Sequence, residues 1–229
     1  NKKKTKSSYR VQSGDLIEVY DILKLKPINK EKKIKYIPKN TELGKYDDYV
    51  IENNENFIVL NKPSGIPVQS GTKSFKNITD IIKNTKYFEN AKPFIVHRID
   101  KETSGIFIIA KNRKFAQLFT SLFRIRKIYK TYLGIVLGEP DKKTGIFEDE
   151  LVYFEGDRKI TSKAITRFTV LDSKKNYSLL KLSPYTGRKH QIRRQLLLHG
   201  HPILGDSKYR FSKAQPTKKK FTYATCVQD

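Results

Sequence analysis

Phe94-Ile95-Val96-His97-Arg98-Ile99-Asp100-Lys101-Glu102-Thr103-Ser104-Gly105-Ile106-Phe107-Ile108-Ile109-Ala110 is a pair of apolar runs separated by a polar segment. Each run is of strand length and built from Val, Ile and Phe, which reads as buried β-structure rather than helix. The segment between them, His97 to Gly105, packs charges of both signs into a loop anchored by β-structure on either side. Rigid strands holding a polar loop are how a fold positions reactive groups. Read alone, a charged surface turn is the plainer account of the segment. Gly105 relieves the backbone where the chain re-enters the sheet.

On the N-terminal side, Phe57-Ile58-Val59-Leu60 reads as a buried strand stopped by Asn61-Lys62-Pro63-Ser64-Gly65. A short helix is predicted around Ile78 to Asn84. Beyond the central pair, Phe115, Leu118, Phe119, Leu122 and Phe123 recur at helical spacing, and their stripe is assigned to the core. Tyr132 to Val136, Ala164 to Leu171 and Tyr177 to Leu182 read as further strands. A last helix is predicted from about Lys189 to His199, with Gly200 as its cap. Strands outnumber helices and come in runs, so an α+β domain on a mixed or antiparallel sheet fits better than a doubly wound one.

Nearer the start of the chain, Ser13-Gly14-Asp15 is a turn signal, and Leu16 to Val19 alternates like a short strand. Lys24 to Asp48 is lysine-rich with few apolar residues, as in an extended connector. The expected division is 1–22 for the remnant of a small domain, 23–49 for a basic linker and 50–229 for the main domain.

The 229 residues hold 47 Lys and Arg against 23 Asp and Glu, a formal net charge of +24. Such an excess attracts polyanions over long range and exceeds what solubility asks of a domain this size, so nucleic acid is the expected partner. No stretch approaches the roughly 20 apolar residues of a membrane helix. Cys226 is the single cysteine, which excludes an intrachain disulfide and a Cys-based zinc site and suits a reducing compartment. The chain opens on Asn1 and contains no Met, and is expected to be a trimmed piece.

A second dense segment is Ser183-Pro184-Tyr185-Thr186-Gly187-Arg188-Lys189-His190-Gln191-Ile192-Arg193-Arg194. Thr186-Gly187 is a turn, and the basic residues fall on the first turns of the predicted helix. Cations there oppose the helix dipole at a cost of a few tenths of a kcal/mol or more each. An anion, either phosphate or a buried carboxylate, is needed to offset this.

The two segments together resemble the RluA-type RNA pseudouridine synthases, with signatures approximating His-Arg-Leu-Asp-x-x-Thr-Ser-Gly and Gly-Arg-x-His-Gln-Ile-Arg. Gly200-His201-Pro202-Ile203-Leu204-Gly205-Asp206-Ser207-Lys208-Tyr209 matches the family's next motif. Asn61 to Gly65 and Lys130-Thr131-Tyr132-Leu133-Gly134-Ile135-Val136 match two more, in family order. The resemblance covers about Val50 to Tyr209, and Tyr9 to Val19 resembles the tail of the family's small RNA-binding domain. Ile99 stands for the usual Leu, Gly134 for a common Ala, and Arg194-Gln195 for a Val-His-like pair.

The resemblance implies a pseudouridine-synthase-like mixed, mostly antiparallel β-sheet flanked by helices and loops, with an active-site cleft. It implies a target uridine flipped out of folded RNA and Asp100 as the essential carboxylate. Addition to the uracil ring, attack on the ribose anomeric carbon and removal of a ribose proton all remain open for Asp100. Arg193 is implied as the cation that holds it, and Tyr132 as the ring that stacks on the flipped base. Arg98 is expected to fill the vacated space or hold its phosphate. Lys62, Arg188, His190 and Arg194 are expected RNA contacts. His97 is expected to hydrogen-bond the loop, and Asp206 to stabilise its own turn. An isomerisation needs no cofactor, and four scattered His give no metal site. The expected partner is RNA, with large-subunit ribosomal RNA ahead of transfer RNA and a ribosomal particle as a further candidate. The chain is expected to be a monomer in a bacterial cytoplasm or organelle matrix. The competing reading is a non-catalytic, ribosome-bound assembly factor that keeps the fold.

Overall fold

The run Ile106 to Ala110 is apolar without alternation because both faces of its strand are covered. Phe107 and Ile109 face one cluster, with Ile58, Leu60, Ile78, Ile81 and Ile82. Ile108 and Ala110 face another, with Val96 and the half-buried Phe115, Phe119 and Phe123. The computed structural model of the chain describes residues 9–10, 12–16, 36, 38, 43–44, 46–70, 76–89, 91–211 and 223–226, with residue 155 and the last four described by their backbone alone.

Strands β1 (Val50–Asn53), β2 (Phe57–Lys62), β3 (Phe94–Ile95) and β4 (Thr103–Ala110) form one side of a single sheet. Strands β5 (Thr131–Leu137), β6 (Thr144–Glu155), β7 (Arg158–Lys174) and β8 (Tyr177–Pro184) form the other. Strand β9 (Tyr223–Cys226) joins the two, pairing parallel to β4 and antiparallel to β5. The order is β1-β2-β4-β9-β5-β8-β7-β6, with β3 paired to β4 off this path. Among the described residues the β4–β9 pair is the only parallel one. This is the mixed, mostly antiparallel sheet expected from the sequence. Strands β1, β6 and β9 were not expected. In β6, Asp149 lies on the same face as buried Phe147 and Leu151, and a carboxylate between two apolar residues hides the two-residue period.

Among the described residues, three α-helices of six residues or more pack with this sheet. Helix α1 (Ile78–Lys83) starts where Asn77 Oδ1 accepts from the Asp80 amide, and it buries Ile78, Ile81 and Ile82. Helix α2 (Arg113–Arg124) is capped the same way, by Asn112 accepting from Phe115 N at 3.0 Å. Such caps contribute about 1 kcal/mol each. The ring of Phe57 meets those of Phe115 and Phe119 at 6.1 and 5.4 Å. The stripe assigned to the core is therefore narrower than expected: Leu118 is 47% exposed, and none of α2 is fully buried. Helix α3 (Gln191–Leu198) begins two residues later than predicted, and Gly200 follows it at φ +81°, the left-handed conformation that ends helices.

Backbone packing divides the chain into residues 1–34 and 35–229. In the first unit the Ser13–Asp15 turn is present, with Asp15 Oδ2 accepting from Gln12 N at 2.7 Å. The strand expected at Leu16 to Val19 and most of the Lys24 to Asp48 connector lie outside the described residues. In the second unit Tyr46 is buried in the α1 cluster, so this unit's core begins before residue 50.

Candidate active site

The loop carrying Asp100 is tied down by the turn after β2. Lys62 is fully buried, and its Nζ donates to the carbonyls of Pro63 and Ile66 at 2.8 Å and of Lys101 at 3.2 Å. Gly65 N donates to the same Lys101 carbonyl at 2.8 Å, and Ser64 Oγ donates to Glu102 O at 2.8 Å. Gly65 sits at φ +86°, which a side chain would make costly. Lys62 is therefore not the RNA contact expected of it, and the expectation is corrected by its burial. Desolvation lowers its pKa to about 8 against the pull of Glu102 and Asp100. Three main-chain carbonyls take its three donors, so nothing remains to meet a phosphate.

Asp100 opens onto a cavity of about 680 Å³, also lined by Arg98, Tyr132, Arg188, His190 and Arg193. Among the described residues lining it, Asp100 is the only carboxylate. Arg193 Nη1 donates to Asp100 Oδ2 at 3.0 Å. The rest of the guanidinium is held by Asp206, with Nε to Oδ2 at 2.6 Å and Nη2 to Oδ1 at 2.8 Å. This two-pronged contact fixes the plane of the guanidinium. Asp206 is itself fixed, since its Oδ1 accepts from the amides of Lys208 and Tyr209 at 2.9 Å. Arg193 Cζ lies 4.9 Å from the centre of the Tyr209 ring. Burial alone would lower the Arg193 pKa, but the bonds from Asp206 and Asp100 more than offset it and raise it. Burial would likewise raise Asp206, yet Arg193 and the two amides hold it below its ordinary value. Arg193 thus sits between the side chains of Asp206 and Asp100, bonded to both.

Helix α3 delivers Arg193 because its opposite side is bolted to the sheet. Gln191 and Gln195, one turn apart, are both buried. Gln191 accepts from Arg188 N and Thr186 Oγ1 and donates to Ile165 O and Thr166 Oγ1. Gln195 accepts from Thr166 Oγ1 and donates to Asp149 Oδ2 at 2.7 Å. Just before the helix, His190 takes the left-handed conformation at φ +53°, uncommon for a residue with a side chain. The anion required near these basic residues is the Asp100–Asp206 pair on Arg193.

The remaining sequence candidates divide. Arg98 and Arg188 are exposed on the cavity wall. His190 hydrogen-bonds Tyr209 Oη through Nδ1 at 2.9 Å, with Nε2 3.8 Å from Asp100 Oδ1. Its pKa is lowered, first by burial and then by Arg193, Lys208 and Lys189, despite Asp100, so it is a neutral neighbour of the carboxylate. Arg194 is not among the residues lining the cavity. Its Nη2 donates to Val152 O at 2.8 Å, tying α3 to β6, because one residue past Arg193 the helix turns it away from the cavity. His97 accepts from Ile108 N of β4 through Nε2 at 2.9 Å and stacks on Phe123 at 4.7 Å, a structural role on the strand rather than on the loop expected of it. Asp206 does more than stabilise its turn, and Tyr209 was not singled out. Their signal was the Gly-Asp-x-x-Tyr spacing, whose partner lies thirteen residues upstream.

Residues 56–198 match the family model described as RNA pseudouridylate synthase. The chain is 35% identical over 230 residues to the ribosomal large subunit pseudouridine synthase C of Rickettsia conorii (strain ATCC VR-613 / Malish 7), covering 96% of this chain and 75% of that protein. It is 29% identical to the protein of the same name from Vibrio parahaemolyticus serotype O3:K6 (strain RIMD 2210633), covering 91% and 67%. Among solved structures, Human RNA Pseudouridylate Synthase Domain Containing 4 aligns with a TM-score of 0.66 at 27% identity, covering 76% of this chain and 73% of that one. Human RNA Pseudouridylate Synthase Domain Containing 1, at 21% identity and a TM-score of 0.59 over 71% and 69%, shares the fold.

Proposed function

The chain belongs to the RNA pseudouridylate synthase family, and from that premise we propose that it isomerises uridines of large-subunit ribosomal RNA to pseudouridine, with Asp100 as the catalytic carboxylate. The reaction breaks the bond from ribose C1′ to uracil N1, turns the base, and forms a bond from C1′ to C5; the C5 hydrogen is released and N1 is protonated. The product is an isomer of the substrate, so no group is gained or lost. The observation that carries the assignment is the lone carboxylate on the cavity wall, held at 3.0 Å by an arginine that Asp206 orients. The choice of ribosomal RNA is supported by the names of the Rickettsia and Vibrio relatives.

In this reading Tyr132, at the cavity end of β5, stacks on the flipped base, an interaction worth about 1–3 kcal/mol. Arg193 holds Asp100 in position through its 3.0 Å contact as the glycosidic bond breaks. Arg98 and Arg188 hold the phosphates of the extruded nucleotide from the rim. His190, neutral, sets the position of Tyr209 and through it the plane of Arg193.

The test is tritium release from ribosomal RNA transcripts labelled at C5 of uridine, with transfer RNA transcripts in parallel. Release from the large-subunit transcript, lost in Asp100→Asn while RNA affinity is kept, is the expected result. An active Asp100→Asn would remove Asp100 from the mechanism. Release from transfer RNA alone would overturn the choice of substrate.

A further inference from the structure

The cavity at Asp100 does not end at its rim. A second groove of about 510 Å³ runs along α2, and Thr120 and Arg124 line both. Its floor is Phe94, Ile95 and Ala116, and its walls carry Arg113, Gln117, Thr120 and Arg124. Arg113 and Arg124 stand at the two ends of α2, about 16 Å apart at the helical rise. That length exceeds a single nucleotide.

The charge of the surrounding segment is one-sided. From Arg113 to Lys130 there are six basic residues and no acidic one. Among the described residues none of the six forms an ion pair. Arg124, Arg126 and Lys130 all line the Asp100 cavity beside the shared wall. Arg126 is held at φ +59°, a conformation rare outside glycine and found where strain serves a site. Lys130 is half-buried and its pKa is lowered, first by burial and then by Arg126. A cation withdrawn from water beside another cation is stabilised by an anion brought from outside. Ile125 and Tyr129 lie exposed between these charges, a mixture of apolar and basic groups suited to nucleotides.

We propose that this groove carries the RNA strand flanking the flipped uridine, its phosphates neutralised by Arg113, Arg124, Arg126 and Lys130. The inference rests on the reading of the chain as an RNA pseudouridine synthase. Gln117 and Thr120, between the arginines, supply neutral donors to the same backbone. The apolar floor accommodates sugar and base faces, so the groove grips a strand without reading its sequence.

The experiment compares two double variants that remove the same charge. Arg113→Gln with Arg124→Gln empties the groove of its arginines. Arg158→Gln with Lys159→Gln removes the same charge from the exposed start of β7. Binding of unmodified large-subunit ribosomal RNA transcript is measured across a salt series, and turnover by tritium release. The groove pair is expected to flatten the slope of log K against log salt by about 0.7 for each phosphate that is no longer neutralised and to raise KM several-fold at unchanged kcat. The β7 pair is expected to leave both near wild type. Equal slopes for the two variants, or a groove pair with the wild-type slope, would overturn the proposal. Binding is read independently of turnover: a chain that bound but released no tritium would refute the proposed reaction, and the slope comparison would still decide the groove.

Discussion

At the residue scale the site turns on how one guanidinium is held. Arg193 has two carboxylate partners but only one of them faces the cavity; Asp206 is 1% exposed at its side chain, whereas Asp100 is 28% exposed. The division of labour follows from this. Asp206 uses its charge for orientation, and Asp100 keeps an oxygen toward the substrate. Replacing Asp206 with Asn keeps the shape and breaks the two-pronged contact, so Arg193 is free to rotate. We expect kcat to fall by about 10²-fold, as for a misplacement near 1 Å, with RNA affinity kept; an unchanged kcat would show that Asp100 alone fixes Arg193. Lys62 makes the complementary case. Buried under the Asp100 loop, it holds Lys101 O rather than RNA. Lys62→Met is expected to lower kcat about tenfold or more through the loosened loop, while leaving the salt dependence of binding at its wild-type slope. A flatter slope would return Lys62 to the RNA interface.

At the element scale, the hairpin of β3 and β4 is closed by His97 as much as by backbone pairing. Ile108 N donates to Nε2, so the neutral ring carries its proton on Nδ1, and protonating Nε2 would remove the acceptor. Burial, with a smaller push from Lys130, lowers the pKa from 6.5 to about 4. Because the folded value lies below the unfolded one, the unfolded chain binds the extra proton first. The stability from neutral His97 is complete above pH 6.5 and is lost as pH falls toward 4, by at most about 3 kcal/mol. Chemical denaturation of wild type and His97→Gln between pH 7 and pH 4 checks this. The variant starts less stable but is expected to lose less over that window, and parallel curves would refute the assignment. The same hairpin marks what was legible in advance. Its unbroken apolar run announced buried β-structure, whereas its polar insert, read alone, suited a surface turn and pointed to a site only together with the Gly187 to Arg193 motif. Helix α2 was legible as a stripe, but not its exposure at Leu118, which depends on how far the helix rolls against β3 and β4. Strand β6 hid behind Asp149, and β9 joins partners more than ninety residues away in sequence, a pairing no local pattern encodes. The motifs name residue types that the structure brings to one cavity, Asp100, Tyr132 and Arg193 among them. Which way a side chain turns was not legible: Lys62 goes inward, Arg194 toward β6 and Asp206 to Arg193.

At the scale of the whole molecule, the +24 charge and the chemistry are separable. Arg193 is cancelled by its two carboxylates, and Lys62 is sealed among carbonyls, so neither adds to the field an approaching RNA meets. Among the described residues, the cations open to an approaching RNA include Arg98, Arg188 and those of the α2 segment. Such charge acts on encounter and on ground-state affinity by releasing counterions from the phosphates, not on bond breaking once the uridine is seated. Salt should therefore separate the two. From about 50 mM to about 200 mM, affinity for ribosomal RNA is expected to fall by about 10³-fold or more if at least six phosphates are contacted, and kcat/KM to fall with it. Single-turnover rates at saturating RNA are expected to stay level, since the Asp100–Arg193–Asp206 contacts are short, partly buried and weakly screened. A chemical step that slowed in parallel with binding would mean that the surface charges stabilise the transition state itself, and the catalytic group would then extend beyond the cavity wall. A flat response of both would contradict the electrostatic account of the partner.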